Sequence, residues 1–149
     1  MAGDGGAHLF LVLWKAAHAM GAYAQQSIAG LEICASDFAV LEAVLHKGPL
    51  PVNDIGRRVL LTSGSITVAV DRLETRGLVE RRASSTDRRA RIVHLTSEGR
   101  TLITRAYAGH AADLERLASA CLTVAERQTL TRLLKKIGQS AAGGSPPID

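Results

Sequence analysis

Apolar positions recur along this chain with two periods, and the change from one to the other marks how it is organised. From His8 to about Ser27, Leu9, Val12, Leu13, Ala16, Met20, Tyr23 and Ala24 fall at helical spacing, and a helix is expected to end by Gly30. A second helix is expected from Asp37 to about Lys47, with Ser36 as N-cap and Phe38, Leu41, Val44 and Leu45 as its buried face. Gly48-Pro49 stops it. Pro51 suits the first turn of a short third helix that turns Val52, Ile55 and Val59 inward. The run LLTSGS at 60–65 makes a turn, with Thr62 or Ser63 capping a fourth helix that runs to about Arg76 and ends at Gly77. There the period drops to two, so Leu78–Arg82 and Arg91–Leu95 are predicted to form a hairpin around a polar loop. Thr96 caps a long helix from about Ser97 to Ala120, with Leu102, Ile103, Ala106, Leu114 and Leu117 along it. Thr123 and Glu126 form a capping box for a last helix bearing Leu130, Leu133, Leu134 and Ile137. Residues 1–7 are expected to fray, and residues 141–149 to form a tail. The pattern therefore predicts a mainly α fold with one small β-hairpin.

Charge sharpens this picture more than composition does. The 149 residues suffice for one well-buried core, and 46% apolar content is that of a folded protein. The formal charge is +4, but between Arg57 and Arg91 nine arginines face four acids, which leaves the rest of the chain at −1. A basic centre between near-neutral flanks favours a local polyanion site over general surface basicity. The two cysteines, Cys34 and Cys121, have no metal-type spacing and are too few for a small disulfide fold, which points to a reducing cytoplasm. The apolar run Leu9–Trp14 is too short to span a membrane and has no basic segment before it, so no membrane association is expected.

The basic centre coincides with the short helices and the hairpin. Around the fourth helix, Ile66, Ala69, Val70 and Leu73 share one arc. The other side gathers Gly64, Thr67, Val68, Asp71, Arg72 and Thr75, with Ser63 and Ser65 at the leading end. Small hydroxylated residues at a helix start approach phosphates and base edges closely, whereas an ordinary surface helix carries more Glu and Lys. In the hairpin loop, Asp87 beside Arg88 and Arg89 can hold a guanidinium extended for a narrow minor groove; the plainer alternative is a solvated turn with a weak ion pair. Arg57 and Arg58 face outward from the third helix. Double-stranded DNA is the expected partner.

The stretches LLTSGSIT at 60–67, DRLETRGLVERR at 71–82, DRRA at 87–90 and VHLTSEG at 93–99 resemble the MarR-type (multiple antibiotic resistance regulator) winged-helix repressors over residues 36–100. The resemblance implies a single domain, with a winged helix-turn-helix at 36–96 and dimerisation helices at 8–30 and 97–140. It further implies a homodimer on a short inverted repeat, released by a small ligand or by thiol oxidation. Carried over by position, Ser63, Ser65, Thr67, Val68 and Arg72 look like major-groove residues, Arg89 like the wing-tip arginine and Asp87 like its positioning partner. Val68 departs from the family, many of whose members have a polar or basic residue there; an apolar side chain could touch a thymine methyl.

The stretch SDFAVLEAVLHKGP with LTSGSIT is similar to members that answer quinones, phenols or hydroperoxides, so a phenolic or quinone effector is expected. Trp14, His18, Phe38 and His110 are candidates to line its cleft, or else simple packing residues. Cys34 is either a sensor thiol or a small apolar filler, and Cys121 is expected in the core. The histidines are scattered, no phosphate loop, Ser-His-Asp set or paired carboxylates occur, and so neither a metal, a cofactor nor an enzyme is expected. The competing function is an architectural dimer that binds DNA without sequence preference.

Overall fold

A computed structural model of the chain describes residues 5–143. In order, the elements are α1 (Gly5–Ile28), a 3-10 turn (Ala29–Leu31), α2 (Ala35–Lys47), β1 (Leu50–Pro51), α3 (Val52–Arg58), α4 (Ser63–Thr75), β2 (Val79–Ala83), β3 (Arg91–Leu95), α5 (Ser97–Cys121) and α6 (Val124–Ala141). The mainly α fold with a hairpin is as the periodicity predicts. Gly5–Ala7, expected to fray, are the start of α1. Residues 1–4 and 144–149, with the rest of that segment and most of the expected tail, lie outside the described residues. Among the described residues no helix is long and apolar enough to cross a membrane.

The core is assembled from the predicted inward positions. Phe38, Leu41 and Val44 of α2, Ile55 of α3, Ile66, Ala69, Val70 and Leu73 of α4, Val79 and Val93 of the hairpin, and Ile103 and Ala106 of α5 are all buried. Each large aliphatic side chain so covered contributes about 1.5–3 kcal/mol. Helices α3 and α4 approach closely at Gly56, where an added Cβ would lie 3.2 Å from Ile66 Cγ2.

The sheet has three antiparallel strands in the order β1-β3-β2, with Leu50 opposite Val93 and Val79 opposite Leu95. Sequence reading misses β1, because two residues ending in proline have no period of their own. At an edge, proline's missing N–H costs no ladder bond. Pro51 accordingly precedes α3 as its N-cap residue instead of entering its first turn.

Short polar contacts fix the junctions. Thr62 is the N-cap of α4, its hydroxyl accepting from the Ser65 N–H at 3.2 Å. Leu60, just before it, takes a left-handed φ of +57° and is exposed. After α4, Gly77 adopts φ +70°, as a residue past a helix end often does. Thr96 donates to the Gly77 carbonyl at 2.6 Å and accepts from the Gly99 N–H at 3.0 Å, tying the hairpin's two ends to the start of α5. Gly99 admits no side chain, since a Cβ there would fall 1.8 Å from the Leu78 carbonyl oxygen. The capping box of α6 forms as expected, with Thr123 N–H donating to Glu126 at 2.8 Å and Glu126 N–H to the Thr123 hydroxyl at 3.3 Å. The cap of α2 does not form as expected: Cys34 takes the N-cap position, and Ser36 lies inside the helix.

The chain divides into two compact units between Ala111 and Ala112. No described residue of the second unit is buried, and Leu130, Leu133, Leu134 and Ile137 of α6 stay 39–47% exposed. On α1 the same holds of Leu9, Phe10, Leu11, Val12, Trp14 and Met20, all exposed.

Candidate nucleic-acid interface

The outer face of α4 is open. Ser63, Gly64, Ser65, Thr67, Val68, Asp71 and Thr75 are exposed. The Thr67 and Thr75 hydroxyls donate back to the Ser63 and Asp71 carbonyls, both at 2.9 Å, leaving oxygen lone pairs outward. Val68 projects as an apolar point in this polar field. On α3, Arg57 is exposed and paired with Asp54 in the preceding turn, and Arg58 is exposed beside it.

The hairpin is clamped to α4 by Arg81, a residue absent from the sequence-based set. Its guanidinium meets Asp71 and Glu74, each at 2.5 Å, and its backbone N–H donates to Glu74 at 2.9 Å. Burial alone would lower the pKa of Arg81; the bonds to Asp71 and Glu74 outweigh it and raise the value above the ordinary one. The Glu74 and Asp71 carboxylates on α4 were the available signal, since they face a strand carrying two arginines.

At the hairpin tip, Asp87 accepts from the Arg89 backbone N–H at 2.9 Å, and its carbonyl accepts from Ala90 N–H at 3.1 Å. This corrects the expected carboxylate–guanidinium contact. A short Asp side chain reaches the N–H two residues on and makes a turn of its own. Asp87 therefore shapes the loop, while the guanidinium groups of Arg88 and Arg89 are exposed with no partner among the described residues.

Arg72 also departs from expectation. Its Nε donates to both Asp37 oxygens, at 3.1 and 2.9 Å, and its Nη2 meets Asp37, Cys34 Sγ at 3.1 Å and Ser36 Oγ at 3.3 Å. The hydrogen bond to Asp37 raises its pKa above the usual arginine value, over the opposing effect of burial. One turn on, Arg76 Nη1 donates to the Glu32 carbonyl at 2.9 Å. Sequence reasoning missed Asp37, which is 1% exposed. Its signal was its place on the stripe of Val40, Leu41 and Val44, where an acid needs a partner.

The effector candidates separate into three groups. Trp14 is exposed and stacks on His18 with centroids 6.1 Å apart. Phe38 is buried and packs edge-to-face with His110, ring centroids 4.9 Å apart, and His110 Nδ1 lies 2.5 Å from the Ser27 hydroxyl. Cys34 is exposed, with its sulfur 3.1 Å from the Ser36 hydroxyl. Cys121, expected in the core, is also exposed, because the second unit buries nothing.

A helix pair presenting an open recognition face, followed by a clamped basic hairpin, defines a winged helix-turn-helix. A model of the MarR family matches residues 35–90. The chain is 38% identical over 133 residues to the HTH-type transcriptional regulator MhqR of Bacillus subtilis, covering 89% of this chain and 91% of that protein. A cysteine-to-serine mutant of MarR from E. coli, complexed with operator DNA, superposes with a TM-score of 0.80 at 25% identity, over 90% of this chain and 96% of that one. Bordetella bronchiseptica BpsR, whose DNA binding is regulated by 6-hydroxynicotinic acid, gives a TM-score of 0.75 at 27% identity over 85% and 90%. The chain belongs to the MarR family. It is a DNA-binding transcriptional regulator and not an enzyme.

Proposed function

We propose that the chain acts as a homodimeric repressor on an inverted repeat, with α4 in the major groove and the hairpin tip in the adjoining minor groove. Two copies related by a two-fold axis would place their α4 helices about 34 Å apart, one helical turn of DNA. The observation that carries this reading is the Arg81 clamp: it holds the hairpin against α4 while the guanidinium groups of Arg88 and Arg89 remain unpaired at the tip. Ser63, Ser65, Thr67 and Val68 supply the base-edge contacts, and Arg57 and Arg58 face the phosphates. The solved relative in complex with operator DNA supports DNA as the partner. The uncovered apolar faces of α1 and α6 support the dimer, since leucines left open in that number need a partner.

A small aromatic ligand or an electrophile releases the DNA in this scheme, by favouring a conformation that DNA does not. The exposed Cys34 thiol within reach of Arg72, and a related regulator answering to an aromatic acid, support an effector of that class. Fluorescence anisotropy on the DNA immediately upstream of the gene, with random DNA as competitor, tests both halves. Selective binding lost on adding 1,4-benzoquinone, but retained in Cys34→Ser, is the expected result. Equal affinity for random DNA would leave an architectural protein instead.

A further inference from the structure

We infer that Asp37 is a positioning residue for DNA recognition: through Arg72 it sets how α4 is seated, and with it the register of Ser63, Ser65 and Thr67 against the bases. The inference rests on the assignment of α4 to the major groove. A carboxylate only 1% exposed is costly to bury unless paired. Both of its oxygens accept from Arg72 Nε. A planar guanidinium meeting a carboxylate at more than one point fixes orientation as well as distance. The apolar arc of α4 holds the helix to the core, and the ion pair adds a directional contact that apolar burial does not itself supply.

A second contact repeats the arrangement one turn along. Residues four apart share a helix face, and Arg76 on that face donates to the Glu32 carbonyl. Glu32 itself holds a left-handed φ of +55°. The last turn of α4 and its C-cap residue are thus pinned to residues 32–37, which lead into the first turn of α2, while Asp71 and Glu74 hold the hairpin. Buried ion pairs are weak sources of stability and better devices for choosing one arrangement. Loss of this one should therefore appear in DNA selectivity before it appears in folding.

The experiment compares wild type, Asp37→Asn, Arg72→Lys and the double variant by anisotropy on operator and random DNA, with thermal unfolding alongside. Asp37→Asn keeps the shape and removes the charge; Arg72→Lys keeps the charge and removes the fork. Each is expected to lower operator affinity about tenfold while leaving random DNA unchanged, and the double variant should be no worse than either. Unaltered selectivity with a lower unfolding temperature would make the pair structural only and overturn the inference. A gain in operator affinity in Asp37→Asn would overturn it too, since Arg72 set free would then be reading DNA itself. Should Asp37→Asn fail to fold, Arg72→Lys, altered at a half-exposed position, decides between these outcomes. If wild type itself shows no preference for the operator, the assignment of α4 fails first, and that result is distinct from the others.

Discussion

Helix α4 and helix α6 carry apolar stripes of similar spacing, and the chain treats them oppositely. On α4, Ile66, Ala69, Val70 and Leu73 are at most 1% exposed; on α6, Leu130, Leu133, Leu134 and Ile137 are 39–47% exposed. Periodicity shows that a helix has an apolar face, and it does not show which surface covers that face. The lobe from α2 to the start of α5 supplies its own cover. Helix α6, and most of α1, do not, which is the condition the proposed second copy would meet.

Substitutions can break this contrast or sharpen it. The largest effect is expected at Gly99, where any Cβ collides with the Leu78 carbonyl. Gly99→Ala should cost on the order of 5 kcal/mol, enough to unfold the lobe, as read by urea titration. Next, Leu41→Ala, at a fully buried position, should cost about 3 kcal/mol, by the same amount at every protein concentration. Leu134→Glu should act differently, yielding a monomer in sedimentation velocity and removing the concentration dependence of the unfolding midpoint. A Leu134→Glu protein that remains dimeric would erase the distinction between the two faces.

Two smaller effects probe the ends of the molecule. Arg89→Ala should reduce the salt slope of DNA binding by about one without altering stability; an unchanged slope would remove the tip from the interface. At the start of α6, the Thr123 backbone N–H and then its hydroxyl hold the Glu126 pKa below 4.5, and on α5 the Ser119 hydroxyl followed by Arg127 lowers that of Glu115. A depressed carboxylate stabilises the fold above its unfolded value, and that contribution fades as the pH drops through the folded one. Helicity followed by circular dichroism should therefore fall slightly below about pH 4.5, and Glu126→Gln should remove part of that fall.

What was legible in the sequence follows from how local each feature is. The buried arc of α4, its end at Gly77 and its cap, narrowed by residue type to Thr62 or Ser63, depend on neighbours within a few positions; the structure matches the first two and puts the cap at Thr62. The capping box at Thr123 is equally local. Strand β1 was hidden because Leu50 becomes a strand only by pairing with Val93. The same distance in sequence hid Arg72: its place on the outer side of α4 suggested DNA, while its partner Asp37 lies 35 residues earlier. Ser36 looked like a cap by residue type, yet its hydroxyl lies beside Cys34 and Arg72. Asp87 was assigned to the right loop with the wrong partner, because composition does not distinguish a side-chain contact from a backbone one.

The Arg81 clamp has a mechanical consequence. It grips the hairpin at the middle of β2, so two strand residues and the loop 84–90 reach beyond it, about 7 Å of strand at about 3.3 Å per residue and the turn farther out. By lever geometry, a tilt of about 10° in α4, passed on through Asp71 and Glu74, would swing a tip roughly 10 Å from the grip by about 2 Å. That is enough to stretch a hydrogen bond of about 2.9 Å out of reach. The hairpin would then act as a pointer whose pivot is α4, showing at its far end a small motion of that helix.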